Sequence, residues 1–151
     1  MATQPAPTRY ETSIDRVGLA IGAGGAMGGA IGVLLMVFAG TRDVGALLVG
    51  LAIGSLMTAL SITALAALPW ALLHAAGRRG PIAAAILGAA IGFVLFLGGQ
   101  TYGYGMFAMP EMDARTLLYR WASGFLTSLV MAAMAAGIAA VMWRVAYRKV
   151  G

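Results

Sequence analysis

Residues 18–32 read GLAIGAGGAMGGAIG, and seven of these fifteen positions are glycine. The stretch lies within a segment, 17–41, that contains no charged residue. Two interpretations compete. A Gly-rich turn between a strand and a helix can bind the phosphates of a dinucleotide, whereas regularly spaced glycines on a membrane helix allow close packing against a second helix.

The composition of the chain favours a membrane. Its 151 residues are 61% hydrophobic and 10% charged, and the mean hydropathy is +0.89, whereas a soluble domain carries about 25% charged residues. A single domain cannot bury this much apolar surface, so part of it must face lipid. A membrane helix needs about 20 apolar residues. Four segments reach this length and contain no Asp, Glu, Lys or Arg: 17–41, 44–77, 80–110 and 121–143.

The dinucleotide interpretation fails on spacing and on context. Gly22, Gly24 and Gly28 form G-x-G-x-x-x-G, which is one residue longer than the dinucleotide fingerprint. A continuous apolar run follows Gly28, and no pattern of alternating strands and helices surrounds it. We therefore interpret the stretch as the middle of a membrane helix.

The sequence predicts an all-α membrane protein, a bundle of four transmembrane helices within one domain over 17–145. The helices are expected at about 17–39, 44–73, 81–99 and 117–145. The short turns GTRD and HAAGRRGP make consecutive helices antiparallel, and Pro69 is expected to kink the second helix or open its last turn. Residues 1–16 are expected to form a polar tail and residues 146–151 a basic one.

The basic residues predict the orientation of the chain. Seven Lys and Arg residues flank one side of the predicted bundle and three flank the other. The positive-inside rule therefore places both termini in the cytoplasm, as in a multi-pass protein of a bacterial inner membrane. The basic residues expected to orient the chain and to meet lipid headgroups are Arg78, Arg79, Arg144, Arg148 and Lys149.

Small residues recur at helix-packing intervals. Gly18, Gly22, Gly25, Gly29 and Gly32 are spaced 4, 3, 4 and 3 residues apart, which keeps them on one helix face. Because lipid is as apolar as leucine, membrane helices associate through the close contact that small residues permit. We expect the first helix to be the most central, and predict the same packing role for Gly50, Gly54, Gly88, Gly92, Gly124 and Ser128.

Two segments of the chain resemble each other. GGAIGVLLM at 28–36 and GAAIGFVLF at 88–96 share five residues at a shift of sixty positions. One interpretation is a duplicated helical hairpin, and the other is chance similarity between Gly/Ala/Leu-rich helices.

The spans offer little for chemistry. They contain no ionisable group for a proton or ion pathway, and their hydroxyls are expected to bond back to helix carbonyls. The sole histidine, His74, lies at a helix end, the chain has no cysteine, and no Ser-His-Asp set appears. We therefore predict neither enzymatic activity nor a cofactor. The net charge of +5 reflects the flanks of the helices rather than a nucleic-acid partner.

The long third connection contains Met106, Met109 and Met112. Thioether sulfurs are soft ligands that suit Cu(I), so these methionines are a candidate metal site. The alternative is adaptable apolar contact at the membrane surface, with Pro110 in the first turn of the fourth helix.

The function favoured by these patterns is that of a structural, accessory or assembly subunit. Such a protein packs through its glycine faces against other membrane subunits or a second copy of itself, within the lipid bilayer. A small oligomeric channel or transporter lined by hydroxyls such as Thr58 and Ser128 is the alternative, and a Cu(I)-handling protein is a third.

Overall fold

The computed structural model describes residues 9–103 and 113–150, and it is an all-α bundle of four helices. Each predicted helix end lies within about three residues of the observed one. α2 continues through Pro69 without interruption. The helices are α1 (Ile14–Phe38), α2 (Val44–Ala75), α3 (Pro81–Gly98), which a π-helical turn at Gly99–Gly103 extends, and α4 (Ala114–Ala146).

All four helices are long and apolar enough to cross a membrane. Their most apolar windows have mean hydropathies between 1.9 and 2.3, and no residue of that window in α2 is buried within the bundle. A helix that is apolar on every side and yet exposed would be unstable in water. The chain is therefore a multi-pass membrane protein.

Local sequence fixes where α1 and α2 end. Each is followed by a glycine with positive φ, 95° at Gly40 and 75° at Gly77. The next residue, Thr41 or Arg78, donates its N–H to a carbonyl five positions back. This Schellman motif stops the helix and requires a left-handed conformation that glycine adopts without strain. Two tight turns result, and they make α1, α2 and α3 antiparallel in succession.

The helices pack in the order α2, α1, α4, α3. α1 lies along α2, α3 lies along α4, and contacts between α1 and α4 join the two hairpins, whereas α2 and α3 hardly touch. The predicted central position of α1 is therefore shared with α4. The outer helices, α2 and α3, lie on either side of this pair.

Glycine permits backbone contact where α1 crosses α2. A Cβ atom at Gly25 would lie 2.8 Å from the Ser55 carbonyl oxygen, and one at Gly29 would lie 2.7 Å from that of Leu51. On the facing helix, a Cβ at Gly54 would lie 3.2 Å from the Cα of Gly29. A Cβ at Gly25 or Gly29 would require the backbones to move apart, and one at Gly54 would require a shift of a few tenths of an ångström.

The contact between α3 and α4 is built in the same way. A Cβ at Gly88 would lie 2.7 Å from the Ala135 carbonyl oxygen, and one at Gly92 would lie 2.7 Å from the Ala135 Cβ. On α4, Gly124 and Ser128 are buried. At the far end of α1, the Met36 sulfur occupies the space that a Cβ at Gly50 would need.

Within the bundle, two of the five predicted seam glycines, Gly25 and Gly29, lie at a close contact with a neighbouring helix. No described atom lies within 4 Å of a Cβ built at Gly18, Gly22 or Gly32. Two straight helices that cross at an angle approach closely only near the crossing point. The contact row on α1 is accordingly short, and it includes Gly24 and Gly28 beside the predicted Gly25 and Gly29.

A two-stranded antiparallel sheet joins the chain ends. β1 (Arg9–Glu11) pairs with β2 (Arg148–Val150), with Tyr10 opposite Lys149. The sheet places both ends of the described chain at one end of the bundle, hereafter the sheet end. Sequence patterns predicted only polar tails there, because strands of three residues are too short for an alternating pattern.

The close contact between α1 and α2 predicts that two double variants of α1 differ in stability. Gly25→Leu with Gly29→Leu forces side chains against the backbone of α2 and is expected to cost roughly 3 kcal/mol or more of stability. The measurement is the unfolding midpoint of the purified protein in mild detergent.

The matched control is Gly18→Leu with Gly22→Leu, the same change in open positions of the same helix. Its unfolding midpoint is expected to equal that of the unmodified protein. Equal losses of stability in the two double variants would place the seam elsewhere on α1.

Candidate functional site

Five ring side chains gather at the sheet end and form the aromatic cluster: Tyr10, Trp70, His74, Trp143 and Tyr147. The ring centroids of Tyr10 and Trp143 are 5.3 Å apart, in an edge-to-face arrangement. Tyr147 stacks on His74 at 5.9 Å and on Trp143 at 6.0 Å. These contacts connect β1, α2 and the end of α4.

Hydrogen bonds fix the geometry of this cluster. His74 Nδ1 and the Tyr147 hydroxyl are 2.8 Å apart. The Trp143 indole N–H donates to the Arg79 carbonyl oxygen at 2.8 Å, and the Arg79 Nε–H donates to the His74 carbonyl oxygen at 3.4 Å. The turn between α2 and α3 is thereby attached to α4.

The phenol of Tyr147 lies in the interior of the cluster. The residue is 7% exposed, and this burial raises the pKa of the phenol above its usual value, although a hydrogen bond with Trp70 and the charge of Arg79 act in the opposite direction. Burial penalises the tyrosinate form because that form would lose its hydration. Tyr147 is therefore a neutral hydrogen-bonding group at ordinary pH.

An apolar groove of about 350 Å³ begins beside the aromatic cluster. α2 and α3 form its two sides, and α1 and α4 form its floor. Trp70 and Trp143 line it at the sheet end, and Thr58 and Phe96 line it at the other end. The groove exists because α2 and α3 hardly touch.

Hydroxyl groups in the spans bond to their own helices, as expected. Thr63 donates to the Ala59 carbonyl oxygen at 2.9 Å, and Thr127 donates to that of Ser123 at 2.8 Å. Ser128, named in the channel alternative, is 0% exposed and donates to the Gly124 carbonyl oxygen at 2.8 Å. Thr58, the other named hydroxyl, lies against Gly28 and at the edge of the groove.

The predicted headgroup residues lie at the sheet end of the bundle. Arg78, Arg79, Arg144 and Arg148 are exposed there, and Lys149 is in β2. Of the described acids, Glu11 and Asp15 lie at this end, and Asp43 and Asp113 precede α2 and α4 at the opposite end. The structure thus brings the predicted basic residues together, with Arg79 directly beside the aromatic cluster.

Other predicted features are spread over the chain. Met106, Met109 and Met112 lie outside the described residues. Within 9–103 and 113–150, no three His, Asp or Glu side chains come together as metal ligands would. The sequence pointed to His74 only as a helix-end group and gave no sign of its contact with Tyr147, seventy-three residues away.

Comparisons of the chain with protein-family models, with curated proteins and with solved structures find no match.

The environment of Tyr147 predicts a pH-dependent effect of Tyr147→Phe. At neutral pH the variant is expected to lose about 1 kcal/mol of stability, because the His74 ring nitrogen loses its hydrogen-bond partner. The pKa of Tyr147 is raised above 10.0 in the folded protein, so its contribution is complete below pH 10 and is lost as the pH rises through the folded pKa.

The difference in unfolding midpoint between unmodified protein and Tyr147→Phe is therefore expected to shrink above pH 10. Tyr119→Phe is the control, because Tyr119 is 62% exposed and a phenylalanine there keeps the ring beneath Arg115. A difference that stays constant up to pH 12 would contradict the assignment of Tyr147 as a buried neutral phenol.

Proposed function

We propose that this protein is a non-catalytic accessory or assembly subunit of a bacterial inner membrane. The observation that carries the proposal is a second row of small residues on α1, which the bundle does not use. Gly18, Gly22, Ala26 and Ala30 are spaced four apart, and all four are exposed. We call these four residues the outer ridge.

The outer ridge has the composition of a helix–helix interface in a membrane. Small residues at intervals of four let a second helix approach until the backbones touch, and van der Waals contact then holds the pair. The contact row on α1 shows this chemistry already in use, since Gly24, Gly25, Gly28 and Gly29 all meet neighbouring helices. The outer ridge offers the same kind of surface to a helix of another subunit.

The distribution of charge supports the orientation and the location. Both described chain ends and the exposed Arg78, Arg79, Arg144 and Arg148 lie at the sheet end, whereas Arg42, Arg115 and Arg120 lie at the opposite end. An excess of Lys and Arg at one end of a bundle favours that end for the cytoplasm. We therefore place the sheet end in the cytoplasm, with both termini inside.

The absence of charge within the spans supports a non-catalytic role. No Asp, Glu, Lys or Arg occurs between Val17 and Thr41 or between Val44 and Gly77. Proton relays and ion pathways depend on such groups at membrane depth. Packing contacts are the main interaction that these helix surfaces provide.

The test is photo-crosslinking in native membranes, with a crosslinking residue in place of the exposed Leu34 beside the outer ridge. We expect a discrete adduct with another membrane protein or with a second copy of the chain. Gly22→Leu with Ala26→Leu is expected to remove the adduct, because two leucines on the ridge hold the partner backbone away.

The matched control is Ala133→Leu with Gly137→Leu. It places the same two changes at the same spacing on exposed positions of α4, and nothing described lies within 4 Å of a Cβ at Gly137. The control is expected to keep the adduct. An adduct that persists in the ridge variant, or disappears equally in both variants, counts against the outer ridge as the docking surface.

A further inference from the structure

We propose that the groove between α2 and α3 binds one anionic phospholipid, with an acyl chain in the groove and the phosphate beside Arg78 and Arg79. This site goes beyond the accessory role proposed above. It uses α2 and α3 rather than the outer ridge of α1.

The length of the groove fits one acyl chain. Along α2 it extends from Thr58 to Trp70, and along α3 from Ala84 to Phe96. Twelve residues of α-helix correspond to about 18 Å. The hydrocarbon layer of a bilayer is about 30 Å thick, so one leaflet contributes about 15 Å. The groove therefore covers the depth of a single leaflet, from near the membrane centre to the cytoplasmic surface.

The lining of the groove fits a hydrocarbon chain. Alanines and branched aliphatic residues form most of the surface, including Ala66, Ala84, Ile91 and Ala139. The hydroxyl of Thr63 already donates to a backbone carbonyl. A volume of about 350 Å³ is at the small end of the range for ligand sites, as a single slender chain requires.

The sheet end of the groove, hereafter its mouth, fits an anionic headgroup. Trp143 lines the groove, and its indole N–H holds the Arg79 carbonyl oxygen at 2.8 Å. That hydrogen bond fixes the turn carrying Arg78 and Arg79 at the mouth of the groove. Both arginines are exposed, and neither forms an ion pair with a carboxylate of residues 9–103 or 113–150. Their charge remains available to a phosphate.

The surrounding charges favour an anion over a zwitterion. The sequence places seven Lys and Arg residues at the sheet end and only two acids, Glu11 and Asp15. Glu11 is in β1 and Asp15 is in the first turn of α1. Trp70 and Trp143 beside the mouth have the amphipathic rings that belong at the headgroup level.

The experiment is native mass spectrometry of the whole protein in mild detergent. The protein is titrated with phosphatidylglycerol and, separately, with phosphatidylcholine of the same acyl chains. One phosphatidylglycerol per chain is expected, bound roughly thirtyfold more tightly than phosphatidylcholine, which is the effect of two basic residues near an anionic headgroup.

Two sets of variants test the headgroup contact and the acyl-chain contact separately. Arg78→Gln with Arg79→Gln is expected to reduce the preference for phosphatidylglycerol to within about threefold, whereas Arg42→Gln with Arg115→Gln, the same loss of charge at the opposite end, leaves it unchanged. Ala67→Phe with Ala84→Phe fills the groove and is expected to abolish binding of both lipids. Ala64→Phe with Ala90→Phe, on exposed positions outside the groove, is expected to leave the binding of both lipids unchanged.

Equal binding of the two lipids by the unmodified protein would overturn the proposal. So would full binding by the groove-filled variant, which would mean that the lipid lies elsewhere on the bundle. If the groove-filled variant does not fold, the arginine variants decide the question, and an unchanged preference for phosphatidylglycerol in them refutes the site. A crosslink from Leu65, which lines the groove, to a helix of another protein would equally refute it. The outer-ridge experiment is unaffected by any of these results.

Discussion

The bundle depends on the backbone contact between α1 and α2 at Gly25, Gly29 and Gly54. Water drives apolar helices together in a soluble protein, but lipid solvates leucine as well as another helix does. What remains is dispersion between closely placed atoms, which weakens steeply with distance. Added Cβ atoms at Gly25 and Gly29 would lie 2.8 Å and 2.7 Å from carbonyl oxygens of α2. A contact of the same kind recurs at Gly88 against Ala135. In both hairpins of the bundle, glycine therefore lets the two backbones come close enough for dispersion to hold them together.

Close packing of α1 on α2 and of α3 on α4 leaves space between the two outer helices. α2 hardly meets α3, and a groove opens between them. The sheet and the aromatic cluster connect the helices at the sheet end of this arrangement through the hydrogen bonds of His74, Trp143 and Arg79. One geometry thus produces a closely packed centre, a basic sheet end and an apolar groove between them. The outer ridge on α1 is a separate consequence of the same abundance of glycine.

Much of the fold could be predicted from the sequence, but less of the candidate site. Charge-free windows located all four helices, because an ionised side chain in hydrocarbon is costly. The glycine pattern identified Gly25 and Gly29 correctly as contact positions. It did not show that Gly18, Gly22 and Gly32 meet no other helix of the bundle, because a repeat along one helix does not say where a neighbouring helix packs against it. The pairing of His74 with Tyr147 and of β1 with β2 could not be predicted, since each joins residues far apart in sequence with no periodic pattern.

By itself, the sequence determined the class of the protein, the number and positions of its spans and the concentration of basic residues at one end. These properties follow from transfer of side chains between water and lipid, which each residue undergoes almost independently of its neighbours. Only the tertiary structure decided which glycines meet a backbone and which stay exposed, and where the groove begins and ends. Those features depend on the angle at which two helices cross, and a crossing angle belongs to a pair of packed surfaces rather than to either sequence segment alone.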